Sequence, residues 1–120
     1  MEPSEWFSCS KLVELGSGLF PNNIAYYLNG NDRAVKSLKL RLNVNDPEHA
    51  KEAHTKLLSS ADLLVREALG LDLRDMLFQA IILGQEITID GENFKISFTK
   101  NQWPIHSSGG YDIGVEISTI

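Results

Sequence analysis

The residue types of a nucleophilic triad occur together near the end of the chain. His106 stands beside Ser107 and Ser108, and Asp112 follows shortly after them. Hydrolysis by such a triad also requires an oxyanion hole and a nucleophile that a rigid element holds in place. Here the serines precede a glycine pair, which is typical of a turn. A minimal hydrolase centred on His106 is therefore one alternative, and the pattern favours a loop without catalytic activity.

The other two histidines do not have the spacing of a metal site. His49 and His54 are five residues apart, which turns their side chains about 140° away from each other on a helix. Zinc-binding helices place two ligands four residues apart, and the single Cys9 cannot supply a Cys-x-x-Cys pair. We therefore expect no metal and no other cofactor.

Acidic residues cluster within residues 62–75, where a pair of carboxylates could do acid and base chemistry. Asp72 and Asp75 are explained more simply as a helix N-cap and a first-turn acid. Arg66 and Arg74 lie close enough along the chain to neutralise the group. The cluster thus predicts a solvated, ion-paired surface, and the chain as a whole is not predicted to be an enzyme.

The length and composition are those of one globular domain with its own core. The chain has 120 residues, of which 42% are apolar and 22% are charged. One cysteine permits no internal disulfide, which favours a reducing compartment. The first twenty residues contain no apolar run of signal-peptide type, and no apolar stretch has the length of a membrane span. We expect a soluble, cytoplasmic protein.

Alternating and helical patterns follow one another from residue 36 onward. Apolar and polar residues alternate over residues 38–44, which predicts a strand covered on one side. Asp46 then caps a helix whose apolar stripe runs to Gly70, and a second helix extends from Asp72 to Gly84. Three further alternating segments predict strands centred on Ile87–Ile89, Phe94–Phe98 and Ile113–Ile117.

These elements predict an α+β fold for residues 36–120. It is a two-layer sandwich in which a four-stranded, antiparallel-rich sheet carries two amphipathic helices on one face. A four-residue turn over residues 90–93 would pair Ile89 with Phe94 and keep the apolar residues of both strands on one face. Strand order is left open, and an exposed edge strand would allow a homodimer.

The reverse of this sheet is predicted to be polar, with charges of both signs and no aromatic platform. Such a surface does not suit single-stranded nucleic acid, which requires stacking rings together with basic residues. The side chains predicted there are Lys39, Arg41, Thr88, Lys95, Ser97, Thr99, Asp112, Glu116 and Ser118.

Residues 1–35 predict an N-terminal helical extension packed on the core. A serine would cap a first short helix around Leu12–Leu15, and Pro21 would begin a second one that continues to Leu28. Neither helix is long enough to be stable alone in water, so both would have to pack on the sheet.

The segment from Phe7 to Tyr27 resembles the start of a helix-turn-helix of the mercury-resistance regulator kind. The resemblance implies that residues 7–28 contact DNA, and it gives the alternative function of a DNA-associated accessory protein. No Arg or Lys lies between Lys11 and Arg33, so the family's basic contacts are missing. The residues that carry the resemblance are Phe7-Ser8, Leu12, Leu15, Gly16 and Ile24-Ala25-Tyr26-Tyr27.

Residues 100–110 predict a connection that is longer than a hairpin needs, and such loops often carry binding residues. Trp103 precedes a proline in this loop, and a tryptophan there is a good interface anchor, although it could instead fold back over the core. We predict a partner-binding surface made by Trp103 and Ile105 as apolar anchors, with Asp112 and Glu116 as acidic contacts.

Together these features predict a small, non-catalytic, intracellular binding protein. A net charge of −5 disfavours general binding to nucleic acid and favours a basic protein partner by electrostatic steering. Acidic proteins of this size are often inhibitors, so we expect an acidic inhibitor or immunity-type protein whose partner is a basic toxin or nuclease. This class rests on analogy of size and charge.

Overall fold

The computed structural model describes residues 5–9, 13–15, 21–31, 35–104 and 109–119. They form an α+β protein with one antiparallel sheet and two helices. The strands are β1 (Glu5–Cys9), β2 (Val13–Leu15), β3 (Asn22–Asn31), β4 (Val35–Val44), β5 (Thr88–Asp90), β6 (Phe94–Gln102) and β7 (Tyr111–Thr119). A 3-10 turn (Pro47–His49) leads into α1 (Ala50–Leu69), and α2 (Arg74–Ile81) follows.

The strands lie in the order β1-β3-β4-β7-β6-β5, and every neighbouring pair is antiparallel. The short strand β2 pairs with the first part of β3, on the same edge where β1 pairs with its last part. Both helices fall between β4 and β5 in the chain, so they cover one face of the sheet without interrupting it. Neither helix is long and apolar enough to cross a membrane.

The predicted helical extension at the N-terminus is wrong, because the described parts of residues 1–35 are strands. Ile24, Tyr26 and Leu28 alternate with other residues in β3, and each lies opposite an apolar residue of β4. The period of two was present in the sequence, but Pro21 before it is also a common helix start. The sheet is correspondingly wider than the four predicted strands.

The same strands remove the basis of the helix-turn-helix resemblance. Within residues 7–28, the described residues belong to β1, β2 and β3 or directly precede β3. A recognition helix is a rigid rod that enters the major groove, and an antiparallel strand in mid-sheet does not have that shape. The DNA-associated alternative therefore loses its structural support.

The predicted α+β fold is confirmed, and its core also includes Ile24 of β3, outside residues 36–120. Leu40, Ile96 and Val115 are fully buried and share the face that the helices cover. The helix α1 presents a buried stripe at four-residue steps, formed by Ala53, Leu57, Ala61 and Val65. An apolar stripe on a helix and an apolar face on a sheet stabilise each other by removing both from water.

The C-terminal end of α1 is as the sequence indicated, whereas the predicted cap belongs to the 3-10 turn, and α1 itself begins at Ala50 without a side-chain cap. The Asp46 side chain accepts a hydrogen bond from the backbone N–H of Glu48, with Pro47 at the first position. Gly70 ends the helix at φ 66°, a left-handed conformation that glycine adopts at little cost. Asn22 of β3 also stabilises the first turn, because its side chain bonds both the N–H (2.8 Å) and the carbonyl (3.1 Å) of Asp46.

The turn between β5 and β6 has a different register from the predicted one. Ile89 pairs with Ile96 instead of Phe94, so the four-residue loop is shifted by one position to residues 91–94. The Gly91 N–H donates to the Phe94 carbonyl over 2.9 Å inside this loop. Since the loop keeps an even length, the apolar residues of both strands still share a face, as expected.

Candidate functional site

The face of the sheet opposite the helices is called the open face here. Strand register aligns its residues in rows that run across the sheet from β3 to β6. Successive rows are Asn23-Asn43-Asp112-Asn101, then Ala25-Arg41-Gly114-Thr99, then Tyr27-Lys39-Glu116-Ser97, then Asn29-Ser37-Ser118-Lys95. The polar face predicted from the sequence is therefore present, and β3 adds a tyrosine to it.

Asp112 is the centre of a hydrogen-bond network on this face. It is only 5% exposed, although its position on a polar sheet face would normally leave a carboxylate in water. The Trp103 indole Nε1–H donates to Oδ2 over 2.8 Å, and the Asn101 amide donates to Oδ1 over 3.1 Å. Arg41 Nη2 donates to Oδ2 over 3.2 Å. Three donors from two strands and one loop thus meet at one carboxylate.

The charge of Asp112 is stabilised by these neighbours. Burial by itself raises the pKa of a carboxyl group, but the hydrogen bonds from Trp103 and Asn101 and the positive charge of Arg41 outweigh it. The pKa of Asp112 consequently lies below its ordinary value. Asp112 is therefore ionised at neutral pH and holds all three donors in fixed positions.

Trp103 covers the end of the open face. Its ring lies against Gly110, where an added Cβ would come within 2.5 Å of the ring, and its backbone N–H donates to the Gly110 carbonyl over 3.0 Å. The loop is shorter than predicted, since Gln102 still pairs with Tyr111 and only residues 103–110 connect the strands. Trp103 is half-buried, so both predicted roles, covering the fold and anchoring a partner, are compatible with its position.

The predicted site residues are brought together in part. Trp103 and Asp112 are in direct contact, and Glu116 lies two rows away on the same face. Ile105 and the triad candidates His106, Ser107 and Ser108 lie outside the described residues.

A depression of about 260 Å³ lies in the open face beside this network. Tyr27, Lys39 and Glu116 form one wall as direct neighbours on three adjacent strands. Asn29, Ser37 and Arg41 complete the lining. The sequence predicts Lys39 and Arg41 on this face, but it predicts a helix around Tyr27, which the structure contradicts. The alternation of Ile24, Tyr26 and Leu28 is the sequence signal for the strand that carries Tyr27.

Arg41 links the depression to the network. Its side chain is 40% exposed and lines the depression, while Nη2 binds Asp112. Its Nε is buried and has no hydrogen-bond partner within the described part of the chain. Asp112 also accepts hydrogen bonds from Trp103 and Asn101, and it binds the guanidinium through a single contact of 3.2 Å and not through the parallel pair that a carboxylate can make.

The two helical histidines have separate environments, as their spacing indicated. The exposed His49 ring bonds Asp46 over 2.6 Å, and this hydrogen bond and the Asp46 charge raise the pKa of His49. His54 Nε2 shares a hydrogen bond of 2.7 Å with the Tyr111 hydroxyl. Burial, with a smaller effect of Lys100, lowers the pKa of His54.

The acidic cluster around the helix junction forms ion pairs, as expected. Arg66 contacts Asp62 at 3.1 Å and Asp72 at 3.2 Å, and Arg74 lies 3.8 Å from Asp62. Among residues that the structure describes, no group of three His, Cys, Asp or Glu side chains is arranged to hold a metal ion.

The fold is an antiparallel sheet with a helical layer on one side and a polar, partly organised face on the other. No protein-family model, no curated protein and no solved structure matches this chain. Its function is therefore inferred from the geometry of the open face.

Proposed function

We propose that this chain is a non-catalytic binding protein of the inhibitor or immunity type, and that it meets a protein partner with the open face of its sheet. The observation that carries the proposal is that Tyr27, Arg41 and Trp103 share this face. Tyrosine, arginine and tryptophan are the residue types that contribute most to binding energy in protein interfaces.

The way these side chains are held supports the proposal. Tyr27, Arg41 and Trp103 are each partly buried, and Asp112 restrains two of them by hydrogen bonds. A side chain that is already ordered loses less conformational entropy when a partner binds it. The ion pair joins the buried Asp112 carboxylate to a guanidinium that is 40% exposed, and such a partly exposed pair adds little to folding stability. Its position beside a depression supports a role in binding.

The distribution of charge gives a basic partner a favourable approach. Residues 46–92 carry ten acidic and four basic side chains, which accounts for the whole negative charge of the chain. This segment forms the helical layer and its flanks, whereas the open face carries both signs. Long-range attraction would raise the association rate of a basic toxin or nuclease, and the open face would supply specificity.

The proposal assigns different tasks to the predicted site residues. Trp103 and Glu116 contact the partner directly, and Ile105 keeps its predicted role as an apolar anchor. Asp112 is too buried for a broad contact, so it positions Arg41 and Trp103. The proposed setting is the cytoplasm, without nucleic acid or membrane as a ligand.

The test begins with two variants of the chain that each carry a photo-cross-linking amino acid. One variant carries it at Ser37 on the open face, and the other carries it at Lys56 on the exposed side of α1. The partner captured from the native host is identified by mass spectrometry and then purified for calorimetry. Cross-linking from Ser37 and not from Lys56 is expected. The reverse result would show that the partner binds the helical layer.

The second step measures affinity for the purified partner. Trp103→Ala is expected to weaken binding by at least about 2 kcal/mol, as for an interface hot spot. Because this substitution also frees Asp112, folding is checked by circular dichroism, and Glu116→Gln provides a variant outside the network. The matched control is Lys56→Ala. A folded Trp103→Ala protein with undiminished affinity would contradict the proposal.

A further inference from the structure

We infer that the depression on the open face receives a carboxylate of the partner, from an acidic side chain that inserts between Lys39 and Arg41. This inference rests on the proposed function, because it names the chemistry that the open face recognises. Three observations carry it: the position of Lys39, the incomplete pairing of Arg41, and the balance of charge around both.

Lys39 lies in the middle of the open face with space made for it. It pairs across the strands with Tyr27 on one side and Glu116 on the other. Its stem passes over Gly114, where a Cβ would stand 3.1 Å from the Lys39 Cε. Within the described residues Lys39 and Glu116 take part in no ion pair. The ammonium group is thus held over the sheet without a carboxylate of its own.

Arg41 is positioned but not fully paired. Asp112 fixes Nη2 at 3.2 Å, yet the same carboxylate accepts shorter hydrogen bonds from Trp103 and Asn101. A guanidinium has five N–H donors and can bind two carboxylates at once. The exposed part of Arg41 therefore retains donors for a second carboxylate in the depression, two residues along β4 from Lys39.

The charges around the depression disfavour a dianion more strongly than a monoanion. Lys39 and Arg41 supply two positive charges, while Glu116 in the lining and Asp112, which binds Arg41 on the same face, supply two negative ones. A dianionic phosphate or a nucleic-acid backbone would be repelled by both carboxylates and by the net charge of −5. One carboxylate can lie between the two cations, with the Ser37 hydroxyl and the Asn29 amide available as further donors.

The test uses two short probes on the full isotope-labelled chain, followed by nuclear magnetic resonance. The first is acetyl-Gly-Glu-Gly-amide, and the second contains Gln in place of Glu. The Glu peptide is expected to give saturable shifts of Ser37, Lys39, Arg41 and Glu116, and the Gln peptide is expected to bind at least about fivefold more weakly. Equal shifts with both peptides, or none with either, would overturn the inference.

Variants locate the site within the open face. Lys39→Met is expected to weaken binding of the Glu peptide about fivefold, and Arg41→Lys, which keeps the charge but loses the planar fork, about threefold. Lys95→Met is the matched control, because Lys95 is exposed on the same face but does not line the depression. An equal loss in Lys95→Met would show non-specific attraction, and tighter binding of inorganic phosphate than of the Glu peptide would show a phosphate site.

Failure of the carboxylate inference can be distinguished from failure of the proposed function. If cross-linking places the partner on the open face but Lys39→Met leaves partner affinity unchanged, only the carboxylate inference is wrong. If the partner binds the helical layer while the peptides still bind the depression, the proposed function is wrong and the carboxylate site belongs to another ligand.

Discussion

The two faces of this sheet are built by different physical rules. On the face that the helices cover, Leu40, Leu42 and Val115 are fully buried, and the contacts are apolar. On the open face, a buried carboxylate, Asp112, is held by directional hydrogen bonds. The covered face tolerates substitutions that keep the side-chain volume. The open face tolerates only substitutions that keep the hydrogen-bond donors and acceptors of the network.

The comparison shows where apolar burial and directional hydrogen bonding reside in this protein. Apolar burial on the covered face supplies most of the free energy of folding, because it scales with the area removed from water. The network around Asp112 adds less net stability, since each hydrogen bond replaces one to water. Its larger effect is to order Arg41 and Trp103 at the surface.

The largest expected effect is on the covered face. Leu40→Ala removes a fully buried side chain at the centre of the sheet and should lower the free energy of unfolding by about 3 kcal/mol. Urea unfolding followed by circular dichroism measures the change. The neighbouring variant Lys39→Ala, on the open face, should stay within about 0.5 kcal/mol of the original protein. Similar losses for both would contradict the assignment of the two faces.

The next effect concerns the contact between Trp103 and Gly110. In Gly110→Ala the new methyl group would lie 2.5 Å from the Trp103 ring and 3.1 Å from the Val44 carbonyl. The ring must move, so we expect a loss of about 2 kcal/mol and a broken hydrogen bond to Asp112. The Trp103 indole N–H resonance reports the bond directly. An unshifted resonance in a stable Gly110→Ala protein would show that the ring does not pack there.

A smaller effect is expected for Asp112→Asn, which keeps the shape but removes the charge that Arg41 faces. The cost should be about 1.5 kcal/mol at pH 7, since Arg41 is partly exposed to water. Thermal unfolding at a series of pH values measures it.

The same variant tests the pH dependence. The pKa of Asp112 in the folded protein lies below the ordinary value of 3.8, so its stabilisation is complete above that pH. It is lost as the pH falls through the folded pKa, because the proton then binds a group whose charge was stabilised. Asp112→Asn should therefore lose less stability on acidification than the original protein. An unchanged acid dependence would show that the network does not stabilise the charge.

The smallest effects separate the two helical histidines. His49 should titrate above pH 6.5, so its stabilisation is present below that pH and lost as the pH rises through the folded pKa. His54, under the sheet beside Tyr111, should titrate below 6.5, so its stabilisation is present above that pH and lost on acidification. Titration of the ring protons by magnetic resonance, assigned with His49→Gln and His54→Gln, measures both. The opposite order would contradict the two environments.

The second half of the fold was predictable because its signals are local. Asp46 marks the start of the 3-10 turn that leads into α1, Gly70 marks the end of α1, and alternation marks β4, β6 and β7. The first half was not predicted, since the alternation in β3 competed with a proline that also starts helices. Of the residues predicted for the candidate site, Trp103 and Asp112 are in contact, and the burial of Asp112 depends on donors from β4 and β6 that no local pattern indicated.

By itself the sequence determined which residues of each segment face the core. Apolar residues recur with a period of 2 in a strand and 3.6 in a helix, because the backbone geometry sets these periods. The sequence therefore determined the two helices, the later strands and the existence of a polar face. Tertiary structure alone decided that β3 and β7 flank β4, and so that Tyr27, Lys39 and Glu116 lie side by side. Strand order joins residues far apart in the chain, and no local pattern encodes which of them will meet.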